Sequence, residues 1–199
     1  MLETPDISRE WFTWEKWAHF LRTLFNRRAT EVLVAHKKFL DINFSWLWNL
    51  GKRWIILDID ECIAPHHWDI LPENIDKIKE LLEIWWRIVV FSNMKKTSRY
   101  DELESLWIKV VTSIYAKPDI KWFQECVEKL ELSASKTVMI WDNYLTDWWC
   151  INAWIDFIKI KPINTQGDYL KPSRIVQKSL RCLVDFVAQY VYRTLEYKN

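Results

Sequence analysis

Two aspartates one residue apart, Asp58 and Asp60, end an apolar run that begins at Trp54. A short apolar run bounded by polar residues is typical of a strand that is buried on both faces, as at the centre of a parallel sheet. Open α/β sheets bind their ligands in the crevice outside the carboxyl ends of such strands. Two carboxylates this close repel each other unless a cation neutralises them, so the pair suggests a Mg²⁺ site. A polar strand end that turns into a loop is the plainer interpretation of the same residues.

From residue 51 onward, short apolar runs alternate with patterns of helical period. The runs predict strands at 55–59, 88–91, 108–112, 137–140 and 155–160, and the periodic stretches predict helices at 72–84, 97–106, 118–130 and 147–153. Alternation of this kind favours right-handed crossovers and a parallel sheet with helices on both faces. We therefore predict an α/β, Rossmann-like domain of about five strands over residues 51–199, which ends in an amphipathic helix at 172–197.

The first 50 residues differ from this pattern and predict a separate N-terminal helical extension. Apolar residues near helical spacing predict one helix at 7–25 and a second at 31–40. Such helices pack on a core or lie on a membrane surface, and core packing is the commoner outcome. Peripheral membrane contact through these helices is the alternative.

The charge balance and the cysteines argue against several classes of protein. The net charge is +1 and the pI is about 7.6, which gives no electrostatic reason to expect a nucleic-acid partner. The four cysteines have no Cys-x-x-Cys spacing and predict buried thiols in a reducing compartment. The first ten residues do not resemble a signal peptide, and no apolar run reaches the roughly 18 residues of a spanning helix. We expect a cytoplasmic protein whose membrane contact, if any, is peripheral.

Glycine and tryptophan occur in unusual numbers, with 2 glycines and 15 tryptophans in 199 residues. An α/β domain needs glycine at helix ends, where φ is positive and a Cβ is penalised. Trp85, Trp107 and Trp154 stand at such helix-to-strand joints. We hypothesise that many tryptophans are glycines in the native protein, because UGA is read as tryptophan in some genetic codes and as glycine in others. A tryptophan-rich protein with an aromatic binding surface is the alternative.

Polar residues follow four of the predicted strands. They are Asp58-Ile59-Asp60, Ser92-Asn93, Lys117-Pro118 and the stretch from Asp142 to Asp147. In this order, and with about 25 to 35 residues between them, they resemble the four motifs of the haloacid dehalogenase-like (HAD) phosphatase superfamily. Each motif alone also fits an ordinary turn or helix cap, so the specificity of the likeness lies in the joint order and spacing.

The last stretch narrows the resemblance to a subclass. Glycine in place of the four tryptophans between 141 and 154 makes it similar to the fourth motif of subclass IIIA, the YqeG-type members, which are related to the mitochondrial phosphatidylglycerophosphate phosphatases. The likeness covers residues 41–162. The sequence departs from the family pattern at Cys62 and Ile63, where threonine and leucine are usual, and a genuine Trp141 is expected to crowd the metal pocket.

The resemblance implies a phosphomonoester hydrolase that uses Mg²⁺. By this resemblance, Asp58 is the nucleophile that forms an aspartyl-phosphate, and Asp60 protonates the leaving oxygen and then activates water. Mg²⁺ is expected on the Asp58 carboxylate, the Asp60 carbonyl and Asp142, with Asp147 as a further ligand or support.

The remaining motif residues are implied to bind the substrate's phosphate. Ser92 and the Asn93 amide bind the phosphoryl oxygens, and Lys117 offsets the charge of the nucleophile and the phosphate. The short spacings before and after Ser92 leave no room for a cap domain. An open site of this kind suits a phosphate on a large or surface-bound molecule, including a lipid headgroup, better than a small sugar that needs enclosure. The expected partner is a phosphorylated small molecule or a lipid headgroup.

Two other classes of protein remain as alternatives. A phospho-accepting receiver domain also gathers acids, a hydroxyl and a lysine at parallel strand ends, although its acidic pair comes first and its acceptor aspartate stands alone on a later strand. The second alternative is a binding protein that keeps the fold and has no catalytic activity.

Overall fold

Within the residues that the computed structural model describes, seven strands form one sheet, and every pairing in it is parallel. The described residues are 14, 17–18, 21–22, 31–34, 38–65, 68–92, 98–112, 127–128, 131–143, 150, 153–163, 179–180, 182–187 and 193–194, with the backbone alone at 31–34 and 193–194. The strands are β1 (Glu31–Val34), β2 (Trp54–Leu57), β3 (Arg87–Ser92), β4 (Lys109–Thr112), β5 (Thr137–Trp141), β6 (Asp156–Lys159) and β7 (Arg193–Thr194). Across the sheet they lie in the order β4-β3-β2-β5-β6-β1-β7.

Strands β2 to β6 are the strands that the apolar runs predicted, and they confirm the α/β, Rossmann-like class. Both faces of the central strands are buried. Ile55 and Leu57 of β2 belong to the main core cluster, whereas Ile56, which faces the other way, is also fully buried. Met139 of β5, the register partner of Ile56, is buried on that second face. Burial on both faces explains why these strands are continuous apolar runs.

Three helices are described in full: α1 (Phe44–Asn49), α2 (Pro72–Glu83) and α3 (Asp101–Ser105). Helix α2 begins with a proline, which fits the first helical turn because its missing N–H has no partner there in any case. It packs on the sheet through Ile75, Ile78 and Leu81, which share one face of the helix and lie in the core cluster. Among the helices that the structure describes, none has the length and apolar character needed to cross a bilayer.

The two strands at the far edge of the sheet correct the sequence prediction. The stretch 31–40 was predicted as a helix, but residues 31–34 form β1, which pairs with β6 through Leu33 and Ile158. A 3₁₀ turn at Phe39–Asp41 follows it. The valines of β1 favour extended backbone, and pairing with β6 satisfies its N–H and C=O groups. Strand β7 likewise lies inside the predicted helix 172–197, of which 179–180 and 182–187 are helical.

The segment before β2 packs into the same core. Phe39, Phe44 and Leu47 are buried in the main core cluster together with residues of β2 and α2. The predicted domain boundary at residue 51 stays a prediction. Residues from 39–47, on the N-terminal side of that boundary, pack in the same core as the sheet.

The ends of the helices share one backbone arrangement. Gly51 after α1, Trp85 after α2 and Trp107 after α3 have φ values of 83°, 73° and 61°. At each of these positions, the N–H of the positive-φ residue donates to the carbonyl three residues earlier. The N–H of the following residue donates to the carbonyl five residues before it, and the two bonds together form the Schellman motif. Trp154, with φ 66°, precedes a residue that makes the same five-residue bond. The prediction that tryptophans occupy positive-φ helix ends is therefore confirmed at Trp85 and Trp107. At Trp154 the positive φ is confirmed, whereas most of the predicted helix 147–153 lies outside the described residues.

Candidate functional site

The crevice between β2 and β5 is the topological switch point of the sheet. From β2 the chain adds β3 and β4 on one side, and it then returns to add β5 and β6 on the other. Leu57 pairs with Ile140, and the Asp58 N–H lies 3.4 Å from the Ile140 carbonyl. Asp58 and Asp142 therefore leave the sheet from neighbouring strand ends, and both are buried, at 7% and 6% exposed. This is the crevice in which open α/β sheets bind ligands.

A tight loop after β2 carries Asp60. Asp60 forms an isolated parallel bridge with Ala64, and the Glu61 N–H donates to the Ala64 carbonyl at 2.8 Å. Glu61 has a φ of 62°, which gives the loop its sharp turn. On the far side, the buried Asn74 amide of α2 donates to the Ile63 carbonyl at 2.7 Å. The loop is thus fixed between the sheet and α2, which restricts where the Asp60 carboxylate can lie.

The two residues that differ from the resembled HAD motif lie in this loop. Cys62 and Ile63 are both buried in the core cluster. The Cys62 thiol donates to the Ile140 carbonyl of β5 at 3.7 Å. Cysteine therefore links the loop to the adjacent strand, although a thiol is a weaker donor than a hydroxyl.

Ser92 is the last residue of β3 and is buried. Its hydroxyl accepts a hydrogen bond of 2.9 Å from the Tyr100 hydroxyl. Since β3 is the neighbour of β2, Ser92 ends on the same edge of the sheet as Asp58. Burial raises the pKa of the Tyr100 phenol above its ordinary value of 10.0, in spite of the Ser92 hydrogen bond and the Arg99 charge, which lower it. The phenol carries its proton at neutral pH and donates it to Ser92 Oγ.

A second contact joins the segment after β3 to the acidic loop. Arg99 Nη1 lies 3.0 Å from Asp60 Oδ1. Arg99 and Tyr100 belong to the 3₁₀ turn Ser98–Tyr100 that precedes α3. Both residues lie at the start of the predicted helix 97–106, and helical period alone does not indicate that their side chains contact the strand ends.

Several predicted site residues lie outside the described part of the chain: Asn93, Lys117 and Asp147. The described residues bring together Asp58, Asp60, Ser92 and Asp142 at three adjacent strand ends, and their roles stay predictions. No group of three or more His, Cys, Asp or Glu side chains able to hold a metal occurs among the described residues. The oxygen donors of Asp58 and Asp142 nevertheless fit Mg²⁺, which binds through one or two carboxylates and keeps several waters.

Trp141 ends β5 next to Asp142. Its indole is buried and meets the Phe91 ring edge to face, with 6.4 Å between ring centroids. The ring therefore has a packing partner on the sheet. The positive-φ argument that applies at the helix ends does not extend to this strand residue.

No protein-family model and no curated protein matches the sequence. Solved structures with a similar chain course include a 3-deoxy-D-manno-octulosonate 8-phosphate phosphatase from Moraxella catarrhalis, in complex with magnesium, phosphate and KDO. It is 10% identical, with 74% of this chain and 99% of that chain covered and a TM-score of 0.44.

Two further structures are similar at the same level. The cobalt-bound deoxy-D-mannose-octulosonate 8-phosphate phosphatase from Haemophilus influenzae is 12% identical, with coverage of 71% of this chain and 91% of that chain and a TM-score of 0.42. An uncharacterised protein from Corynebacterium glutamicum is 18% identical, with coverage of 68% and 96% and a TM-score of 0.46. At these identities, what the site does is inferred from the chain's own residues.

Proposed function

We propose that this chain is a Mg²⁺-dependent phosphomonoester hydrolase of the capless HAD type. The observation that supports it is the convergence of Asp58, Asp60, Ser92 and Asp142 at the ends of three neighbouring strands beside the switch point. A phosphomonoester resists attack because its oxygens are anionic, so a catalyst must neutralise charge and hold a nucleophile in line. Buried carboxylates around a divalent cation, with a hydroxyl beside them, provide these two functions.

Asp58 is the proposed nucleophile. Its carboxylate oxygen bonds to phosphorus while the bond from phosphorus to the substrate oxygen breaks, which gives an aspartyl-phosphate. Asp60 gives its proton to the departing oxygen and then takes a proton from the water that attacks the aspartyl-phosphate. Inorganic phosphate leaves, and Asp58 and Asp60 return to their starting states.

The other residues bind charge. Mg²⁺ is proposed to lie on Asp58, the Asp60 carbonyl and Asp142, with Asp147 as a further ligand or support, and it neutralises the phosphoryl oxygens when bound. Ser92, together with Asn93 and Lys117, is proposed to bind the phosphoryl group.

The size of the connections between strands supports a proposal for the substrate class. Between β2 and β3 the described chain consists of the acidic loop and α2, with only residues 66 and 67 outside the description. No cap domain fits there, so the site is proposed to be open to a phosphate on a large molecule. We propose a lipid headgroup phosphate such as phosphatidylglycerophosphate, in line with the YqeG-type resemblance, and peripheral membrane contact through the N-terminal residues.

We also propose that Trp85, Trp107 and Trp154 are glycines in the native protein. Tryptophan supplies three of the five described non-glycine residues with positive φ, although it makes up 15 of 199 residues. The side chains of Trp85 and Trp107 are 83% and 97% exposed, so packing does not account for a tryptophan at either position. Gly51 occupies the equivalent position after α1. The test is the intact mass of protein purified from its own source. We expect it to be lower than the mass of the printed sequence by the tryptophan-to-glycine difference at each position. A mass that agrees with the printed sequence would contradict the proposal.

The hydrolase proposal is tested on the chain with glycine in place of Trp85, Trp107 and Trp154. The substrates are p-nitrophenyl phosphate and phosphatidylglycerophosphate in vesicles. We expect multiple turnovers that require Mg²⁺, are abolished by chelation, and fall by about 10³-fold or more in Asp58→Asn. Asp76→Asn, on the exposed side of α2, is the matched control and should keep full activity. Uptake of one phosphate per chain without turnover would indicate the receiver-like alternative, and binding without chemistry would indicate the non-catalytic one.

A further inference from the structure

Two consecutive residues of the 3₁₀ turn Ser98–Tyr100 each contact a different residue of the candidate site. Arg99 Nη1 lies 3.0 Å from Asp60 Oδ1, and the Tyr100 hydroxyl donates to Ser92 Oγ at 2.9 Å. Asp60 and Ser92 come from different strand ends. The turn therefore joins the β2 loop to the end of β3 at the candidate site.

The Arg99 contact differs from an ordinary surface ion pair. The side chains of Arg99 and Asp60 are only 7% and 19% exposed, so solvent screens their attraction poorly. Exposed pairs contribute little because water competes and two mobile side chains must be ordered. Here both side chains are largely buried, so water competes less for the contact. The contact fixes one oxygen of the Asp60 carboxylate, which orients the other.

The Tyr100 contact acts on the proton of Ser92. Tyr100 is fully buried, and its hydroxyl donates to Ser92 Oγ at 2.9 Å. Ser92 Oγ accepts with a lone pair, so the bond to Tyr100 does not use the serine proton. The tyrosine thereby restricts the directions in which the Ser92 hydroxyl can donate.

We infer that Arg99 and Tyr100 are positioning residues of the proposed phosphatase. Arg99 holds the acid–base carboxylate of Asp60 so that Oδ2 exchanges the proton, and Tyr100 holds the Ser92 hydroxyl toward the phosphoryl oxygens. This inference rests on the proposed function. One turn thus positions two groups through two different residues. Arg99 positions the carboxylate that transfers the proton, and Tyr100 positions the hydroxyl that binds the phosphate.

Separate substitutions test the two roles. Arg99→Ala should lower kcat by roughly tenfold to a hundredfold with little change in KM, because a misplaced acid slows proton transfer. Free guanidinium should restore part of that loss, which a folding defect would not allow. Arg99→Lys should give a kcat between those of the parent and Arg99→Ala, because an ammonium keeps the charge but does not reproduce the position of Nη1, 3.0 Å from Asp60 Oδ1.

Tyr100→Phe should act on binding. It should raise KM and the dissociation constant for inorganic phosphate by roughly two- to tenfold, since one hydrogen bond is lost, with a smaller change in kcat. Phosphate binding is measured by calorimetry, so this readout does not depend on turnover. Arg87→Ala, at the exposed amino end of β3, is the control for loss of a cation and should match the parent.

The outcomes separate this inference from the function on which it rests. If the parent hydrolyses the substrate and Arg99→Ala has unchanged kinetics, the positioning role of Arg99 is overturned. The role is also overturned if Arg99→Ala loses activity that guanidinium does not restore and Arg87→Ala loses as much. Unchanged phosphate affinity in Tyr100→Phe overturns the role of the tyrosine. An inactive parent that does not bind phosphate overturns the proposed function itself.

Discussion

At the scale of single residues, Tyr100 shows how burial sets the chemistry of a side chain beside the candidate site. Its phenol is fully buried and donates to Ser92. Burial raises its pKa, the Ser92 bond and the Arg99 charge lower it, and the carboxylates of Asp60 and Asp58 raise it. The net shift is upward, so the folded chain holds this proton more firmly than the unfolded chain does.

This shift predicts a dependence of stability on alkaline pH. The unfolded phenol ionises at about pH 10, whereas the folded one ionises only at higher pH. The stability associated with this proton is therefore fully present below about pH 10 and is lost as the pH rises through the folded pKa. We expect the free energy of unfolding, measured with urea from pH 8.5 to about 11, to fall less in Tyr100→Phe than in the parent. Parallel curves would contradict the shift, because both chains share all other ionisable groups.

The residue scale also separates what the sequence could predict from what it could not. Asp58 and Asp142 follow apolar runs, so periodicity located the strand ends and parallel pairing brought them together. Arg99 and Tyr100 reach the site through a short 3₁₀ turn, whose course depends on tertiary packing. The helical period of 97–106 does not specify that the first residues of this stretch form a 3₁₀ turn whose side chains reach the strand ends.

At the scale of elements, the helix ends carry the clearest conflict between residue type and backbone. Trp107 has a φ of 61° and is 97% exposed after α3. A side chain with a Cβ costs about 1 to 2 kcal/mol in this region of φ and ψ, whereas glycine adopts it without that penalty. Trp86, next to the positive-φ Trp85, is instead buried and packs edge to face against Phe44, with 5.9 Å between the centroids.

Neighbouring tryptophans should therefore respond oppositely to the same substitution. We expect Trp107→Gly to raise the free energy of unfolding by about 1 kcal/mol, because it relieves the backbone and removes little packing. Trp86→Gly should lower it by about 3 to 5 kcal/mol, because a large cavity forms in the core. Urea denaturation measures both. A destabilised Trp107→Gly, or a neutral Trp86→Gly, would show that φ and burial do not distinguish the two kinds of tryptophan.

Strands β2 to β6 and helices α2 and α3 could be predicted, whereas helix α1 and strands β1 and β7 were not. Strands β2 to β6 are continuous apolar runs because both of their faces are buried, and that pattern is visible in a single sequence. Strands β1 and β7 lie at the β6 side of the sheet, and each is embedded in a longer stretch of helical spacing that outweighs its own short extended pattern. Their strand character comes from pairing with β6 and with each other.

At the scale of the whole molecule, the two ends of the parallel strands have different roles. The candidate site lies at the carboxyl ends of the strands. At their amino ends, Lys52 connects neighbouring strands through its side chain. Its buried ammonium pairs with Asp156, the first residue of β6, and donates to the Ser135 carbonyl just before β5 at 2.7 Å. Lys52 itself precedes β2, so one cation connects three adjacent strands at the edge opposite the site.

This separation predicts that stability and activity can be changed independently. Asp156→Asn leaves the Lys52 ammonium buried with a neutral partner, and we expect a loss of about 1 to 3 kcal/mol of stability, moderated because Asp156 is 38% exposed. Below the melting temperature, kcat and the Mg²⁺ concentration for half-maximal activity should match the parent, since β2 and β5 remain paired by their backbones. Lys52→Met should recover part of the stability in the Asp156→Asn background, because it removes the uncompensated charge and keeps an unbranched apolar chain. Loss of activity at unchanged stability in Asp156→Asn would show instead that the amino ends of the strands govern the geometry of the site.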